Sequence, residues 1–167
     1  MAKKNNIILT DQEIKHKIKR IAYEIYENNV DEKEIVLAGI AENGYLLAKK
    51  LKIELSKISQ LKPILCKVEI NKKQPRTLIT TSLNKNNYTD KSVVLIDDVL
   101  NSGTTLIYAV KHFIEVPLRQ FKTAVLVNRN HKKYPVKADF EGISLSTSIN
   151  EHISVKFENN KFEAVLE

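Results

Sequence analysis

The chain has 167 residues, 27 Lys and Arg against 20 Asp and Glu, a formal net charge of +7 and 43% hydrophobic residues. That length fits one domain with a sizeable core, and the apolar content excludes a disordered chain. Cys66 is the only cysteine, which excludes an intramolecular disulfide and a cysteine-rich metal site. No apolar run is long enough to cross a bilayer, and Met1–Asn6 carry no apolar signal core, so a cytoplasmic protein is expected. The positive charge favours anionic partners, either phosphorylated metabolites or nucleic acid.

Thr10 and Glu13 have capping-box spacing, and Ile14, Ile18, Ile21, Ala22 and Ile25 follow with helical spacing. They predict an amphipathic helix over 11–28, with Lys15, Lys17, Lys19 and Arg20 on its other faces. Glu34–Ile40 reads as a strand. Ala41-Glu42-Asn43-Gly44 then opens a second helix carrying Leu47, Leu51 and Leu55. Pro63–Ile70 reads as a strand in which Cys66 is a buried structural thiol. Residues 71–90 are polar and lack a helical period, which fits a mobile functional loop or an irregular hairpin. A strand over 92–96, a helix over 104–115 stopped by Pro117, and a strand over Phe121–Val127 follow. Two late strands, 153–157 and 161–166, flank Glu158-Asn159-Asn160 as a terminal hairpin.

Strands alternate with helices through the first three quarters. This predicts an α/β fold with a mostly parallel sheet flanked by helices. The whole chain reads as one domain over 1–167, with a long loop at about 71–90 and a small hood at about 138–167 lying over the strand ends.

The most informative stretch is Val93-Val94-Leu95-Ile96-Asp97-Asp98-Val99-Leu100-Asn101-Ser102-Gly103-Thr104-Thr105. A buried strand ends in two carboxylates, and a hydroxyl-rich loop with one glycine leads into a helix. Ligands of open α/β sheets bind at the carboxyl ends of strands, and a helix N-terminus attracts phosphate. The loop lacks the Gly-Lys-Ser/Thr of a P-loop, and Gly103 alone does not make a dinucleotide fingerprint. As mere caps, two adjacent carboxylates would repel each other without a partner.

The run resembles the phosphoribosyl pyrophosphate (PRPP) motif of the type I phosphoribosyltransferases. The resemblance narrows at Arg20-Ile21-Ala22-Tyr23-Glu24-Ile25, Ala124-Val125-Leu126-Val127-Asn128-Arg129-Asn130-His131, Tyr134–Phe140 and Thr147-Ser148. These segments are similar to the bifunctional pyrimidine-operon regulators that are also uracil phosphoribosyltransferases. The resemblance implies transfer of phosphoribose from PRPP to a nucleobase, with Mg²⁺, in a homodimer or larger homo-oligomer. It also raises binding of a messenger RNA leader as an alternative function, and purine salvage as another.

By resemblance, Asp97 and Asp98 meet the ribose 2′- and 3′-hydroxyls, and Asn101, Ser102, Gly103, Thr104 and Thr105 wrap the 5′-phosphate. That division matches acceptors to hydroxyls and donors to phosphate. Asn43 and Gly44 match the pyrophosphate turn, although relatives often carry Thr-Arg-Gly where this chain has Glu42-Asn43-Gly44. Lys72, Lys73 and Arg76 either supply the missing cation or form a solvated basic loop. Asn128, Arg129, Thr147 and Ser148 belong by resemblance to the base site, and Asn128 replaces an aspartate common among the regulators. Asn101 stands where purine-specific relatives often place an aspartate, and an amide cannot take a proton from the base at neutral pH, which disfavours 6-oxopurines. Phe140 would stack on a base or, more simply, fill the core.

Lys19, Arg20, His131 and Lys137 fall on the RNA face of the resembling family. Two further basic positions of that face are here Asn28 and Ile143, so weaker RNA binding or none is expected. His16, His112 and His152 are scattered without metal-ligand spacing.

Overall fold

A computed structural model describes residues 6–167. The reading of the N-terminus rests largely on residues 1–5, which lie outside the described residues. In chain order the elements are β1 (Asn6–Leu9), α1 (Asp11–Glu27), β2 (Glu34–Ile40), α2 (Asn43–Ile58), β3 (Lys62–Glu69), β4 (Thr80–Thr81), α3 (Lys85–Tyr88), β5 (Ser92–Leu100), α4 (Thr104–Phe113), β6 (Gln120–Asn128), β7 (Phe140–Ser144), β8 (Ile153–Glu158) and β9 (Lys161–Leu166). No helix among the described residues is long and apolar enough to cross a membrane.

A six-stranded sheet in the order β4-β3-β2-β5-β6-β7 forms the body. Its strands are parallel except β4, which runs antiparallel at the edge. Both faces are buried. On β2, Ile35 and Leu37 join the cluster under α1 and α2, while Val36, Ala38 and Ile40 join the cluster on the α4 side. Successive side chains of a strand point to opposite faces, so a doubly covered strand reads as one continuous apolar run. α1 begins at the expected capping box, with Thr10 and Glu13 satisfying each other's backbone N–H groups.

Two expectations needed adjustment, and of the two alternatives for 71–90 the hairpin is the one formed. β5 does not end at Ile96: it leaves β2 there but stays paired with β6 through Leu100↔Asn128, so the two carboxylates lie within the strand's last turn of ladder. The hood is smaller at its start and larger in strand number than expected. Phe140–Ser144 lies in the main sheet, parallel to β6, because Phe140 is buried in the core under α1. The three-stranded antiparallel hood β1-β9-β8 instead recruits the N-terminal strand through Ile7↔Val165. The 71–90 segment is an irregular hairpin: β4 folds back on β3 through Val68↔Thr81, and α3 buries Tyr88 against Phe113 at a centroid distance of 5.0 Å.

Arg20 is part of this architecture. Its guanidinium pairs with Glu24 at 2.8 Å and donates to the Glu141 and Gly142 carbonyls of β7, both at 2.8 Å, clamping α1 onto the sheet edge. Its neighbour Lys19 is exposed. Arg20→Ala is therefore expected to lower stability by about 1 kcal/mol, or about 3 °C in Tm, while Lys19→Ala changes it by less than about 0.5 kcal/mol. Thermal unfolding of both variants checks this; equal effects would contradict the clamp.

Candidate active site

At its C-terminal end β5 presents Asp97 and Asp98. Asp97 is 4% exposed, and its Oδ1 accepts the backbone N–H of Asp98 at 2.9 Å. Asp98 Oδ1 accepts the N–H of Val99 at 2.9 Å. Burial, and then the Asp98 charge beside it, pushes the Asp97 carboxyl up to about 8, and Lys72 works against that rise. Lys72 Nζ lies 3.4 Å from Asp97 Oδ1 and 3.9 Å from Asp98 Oδ1. Burial disfavours the Lys72 charge, but Asp97 and Asp98 together outweigh it and hold the ammonium above its ordinary range. Of the three loop cations expected near the site, Lys72 reaches the acids, Lys73 lines the same cavity, and Arg76 turns away to the Tyr108 hydroxyl at 3.2 Å.

Asn43 joins the acids to the hood. Its Nδ2 donates to Asp98 Oδ2 at 3.1 Å and to the Val155 carbonyl at 2.8 Å. The start of α2 fits closely against β5 because Gly44 has no side chain: a Cβ there would meet the Ile96 carbonyl at 2.6 Å and Asp97 Cα at 3.0 Å. The Asn43 side-chain amide is thus engaged within the protein, and the cations near the acids come from the 71–90 segment.

Beyond the acids the chain turns into α4. Gly103 caps the helix with φ +82°, a left-handed conformation that L side chains rarely adopt, and a Cβ would also strike Val136 Cγ2 at 2.5 Å. Ser102 Oγ and Thr104 Oγ1 are hydrogen-bonded at 2.8 Å, and the Ser102 carbonyl accepts the N–H groups of Lys133 and Tyr134. The loop is therefore held from behind, while its hydroxyls and the first-turn amides of α4 form the front wall. Asn101 lines the same wall, and its Oδ1 is buried without a hydrogen-bond partner among the described residues.

These groups enclose a cavity of about 520 Å³. Asn43, Lys72, Lys73, Asp97, Asp98 and Asn101–Thr105 line it, together with His152–Val155 at the start of β8. A larger cavity of about 630 Å³ lies between residues 75–79 and α4, away from the acid pair.

The expected base-site residues do not lie on the cavity wall. Asn128 donates from Nδ2 to Glu141 Oε2 of β7 at 2.9 Å. Arg129 turns to the hood loop, where its Nε donates to Thr147 Oγ1 at 2.7 Å and its Nη2 to the Ser148 carbonyl at 3.0 Å and to the Glu151 carbonyl. Thr147 and Ser148 are thus partners of Arg129 rather than surfaces of the cavity. Sequence reasoning missed Ile153–Val155 and treated His152 as a scattered histidine, because which end of the hairpin faces the acids depends on the fold. Phe140 is a core aromatic.

On the expected RNA face, His131 Nε2 lies 2.6 Å from the Thr147 carbonyl, and Lys137 pairs with Asp139 at 3.5 Å while remaining largely exposed. Asn28 donates to the Glu24 carbonyl at the end of α1, and Ile143 packs on β7 against the core.

Residues 4–160 match the profile of the phosphoribosyl transferase domain. The protein named Bifunctional protein PyrR from Pediococcus pentosaceus is 34% identical over 158 residues, covering 89% of each chain. The protein of the same name from Streptococcus pneumoniae (strain CGSP14) is 35% identical over 160 residues, covering 92% of this chain and 90% of its own. In fold, the chain superposes on the hypoxanthine phosphoribosyltransferase of Trypanosoma cruzi with a TM-score of 0.80 at 16% identity, covering 96% of this chain and 95% of that one. With the acid pair, the hydroxyl loop and the hood already in place, these likenesses settle the kinship: the chain belongs to the type I phosphoribosyltransferases, among the relatives of the bifunctional PyrR proteins.

Proposed function

We propose that this protein transfers phosphoribose from PRPP to uracil and releases pyrophosphate. The observation that carries the proposal is the convergence of Asp97, Asp98 and the Asn101–Thr105 loop on one cavity. Carboxylate oxygens accept hydrogen bonds from the ribose hydroxyls, and the hydroxyls and amides at the start of α4 donate to the 5′-phosphate. A donor gripped at both ends presents its anomeric carbon to the hood side of the cleft, which is catalysis by orientation. Charge then builds on departing pyrophosphate, and Lys72 and Lys73 are the cations that meet it. Asp97 and Asp98 are the carboxylates that line this cavity and would hold a divalent ion. That suits Mg²⁺, a hard cation that needs few protein ligands and would supply charge neutralisation at the leaving group. The amide at Asn101 supports a pyrimidine over a 6-oxopurine, since no carboxylate stands there to accept a proton from a purine ring.

A second reading is a regulator that binds messenger RNA and uses the cleft as a nucleotide sensor. The net charge of +7 and the exposed Lys19 and Lys137 favour it, whereas Arg20 and His131 are engaged within the protein. We infer a homodimer or larger homo-oligomer from the same kinship.

A panel of uracil, hypoxanthine, guanine, xanthine and orotate with PRPP and Mg²⁺ should release pyrophosphate with uracil foremost. Turnover with none of them would reject the transferase reading, and a purine foremost would reject the pyrimidine assignment. If the chain binds its leader RNA, affinity should fall steeply with salt; binding that ignores salt would count against a phosphate-reading surface.

The raised Asp97 also makes stability depend on pH. The folded carboxyl keeps its proton up to about 8, whereas the unfolded one loses it near the ordinary 3.8. The folded state therefore binds more protons between those values, and stability falls as pH rises through that window. Asp97→Asn should flatten this slope, so that its gain in Tm over the wild type is larger at pH 8 than at pH 5. An equal gain at both pH values would contradict a buried carboxyl as its source.

A further inference from the structure

We propose that Arg129 is a positioning residue for base recognition, acting through the hood loop rather than by touching the base. This rests on the transferase reading above. Arg129 follows β6 and is 8% exposed, and its backbone N–H donates to the Leu100 carbonyl at 2.9 Å, which ties it to the end of β5. Its guanidinium spans the bend at 147–151, donating to Thr147 Oγ1, the Ser148 carbonyl and the Glu151 carbonyl. His131 adds a bond to the Thr147 carbonyl, and the Leu145 N–H donates to the Asn128 carbonyl at 2.8 Å. The bend is thereby stapled to the strand that flanks the acids.

The bend leads straight into the cavity wall. His152 exchanges backbone hydrogen bonds with Glu167 at 3.0 and 2.7 Å, so its backbone is fixed, and His152–Val155 face the acid pair. At the far end of this wall Asn43 holds the Val155 carbonyl. The wall is thus fixed at one end by Asn43 and carried at the other by the bend that Arg129 holds. The acids and the hydroxyl loop take the sugar and its phosphate, which leaves the wall to meet the base. The height of the wall over the acids then sets how well a base of given size is held.

The residue type fits the task. Three oxygens in different directions call for a planar fork of N–H donors, which guanidinium provides and a lysine ammonium on a flexible stem does not. Burying this charge against one hydroxyl and two carbonyl oxygens, with the Glu151 carboxylate nearby, is costly unless those bonds form.

The test is steady-state kinetics of Arg129→Lys and Thr147→Val with PRPP and uracil, beside hydrogen–deuterium exchange of the unliganded proteins. Arg129→Lys should raise KM for the base about tenfold, with KM for PRPP and kcat within about threefold of wild type. Thr147→Val, which removes one of the bonds, should move the base KM the same way by about threefold. Amides over 147–155 should exchange faster in Arg129→Lys while those of β5 and α4 do not change. A fall in kcat with the base KM unmoved, or equal rises in both KM values, would overturn the proposal. So would unchanged exchange over 147–155. If Arg129→Lys does not fold, Thr147→Val carries the same readouts. If the wild type turns over no base, the transferase reading fails and the base role falls with it, while the exchange data still decide whether Arg129 holds the bend.

Discussion

Two carboxylates on consecutive residues, one of them buried, are held at the end of a strand. Like charges so close resist ionising together, and burial adds to the cost. The fold offers them one ammonium, one amide and the backbone N–H groups of Asp98 and Val99. These partners do not cancel the strain, since the Asp97 carboxyl is still pushed up to about 8. A site that stores this cost is ready for a ligand rich in hydroxyl donors and accompanied by positive charge. Strain of this kind gathers where function requires it.

The rest of the molecule serves that pair. The parallel sheet, buried on both faces, brings the C-terminal ends of β2, β5 and β6 to one edge. The turn at Asn43 and Gly44 packs against β5, and the helix begun by Gly103 turns its N-terminus toward the space in front of the acids. The hood closes the other side and is tied down twice, by Asn43 and by Arg129. Two side chains that resemblance assigns to ligand binding therefore also carry structural bonds, so substitutions there change geometry as well as contacts.

Much of this was legible in the residues. α1 announced itself through its capping box and isoleucine spacing, and β2 and β6 through unbroken apolar runs. Residues 97–105 carried acids and a hydroxyl-rich loop at a strand end, where physical chemistry places an anionic ligand and resemblance names a sugar phosphate. What was not legible was set by distant contacts. β7 is short and contains Gly142, so Phe140–Ser144 reads as tail until α1 is laid over it. β1 has only four residues and is defined by its pairing with β9. Arg129 looked like a ligand contact, because its partners lie 18 to 22 residues onward and no local pattern points to them. The wall at His152–Val155 was hidden for the same reason: a hairpin's alternation shows that it has two faces, not which end overhangs the acids.

The central claim is that the acid pair grips the ribose of PRPP. Calorimetric titration of PRPP in Mg²⁺ into the wild type and into the Asp97→Asn, Asp98→Asn double variant tests it most directly. The account predicts saturable binding to the wild type and a loss of about tenfold or more in the double variant, as expected when the pair's hydrogen bonds to the ribose hydroxyls are weakened. Equal affinity in the two proteins would contradict it.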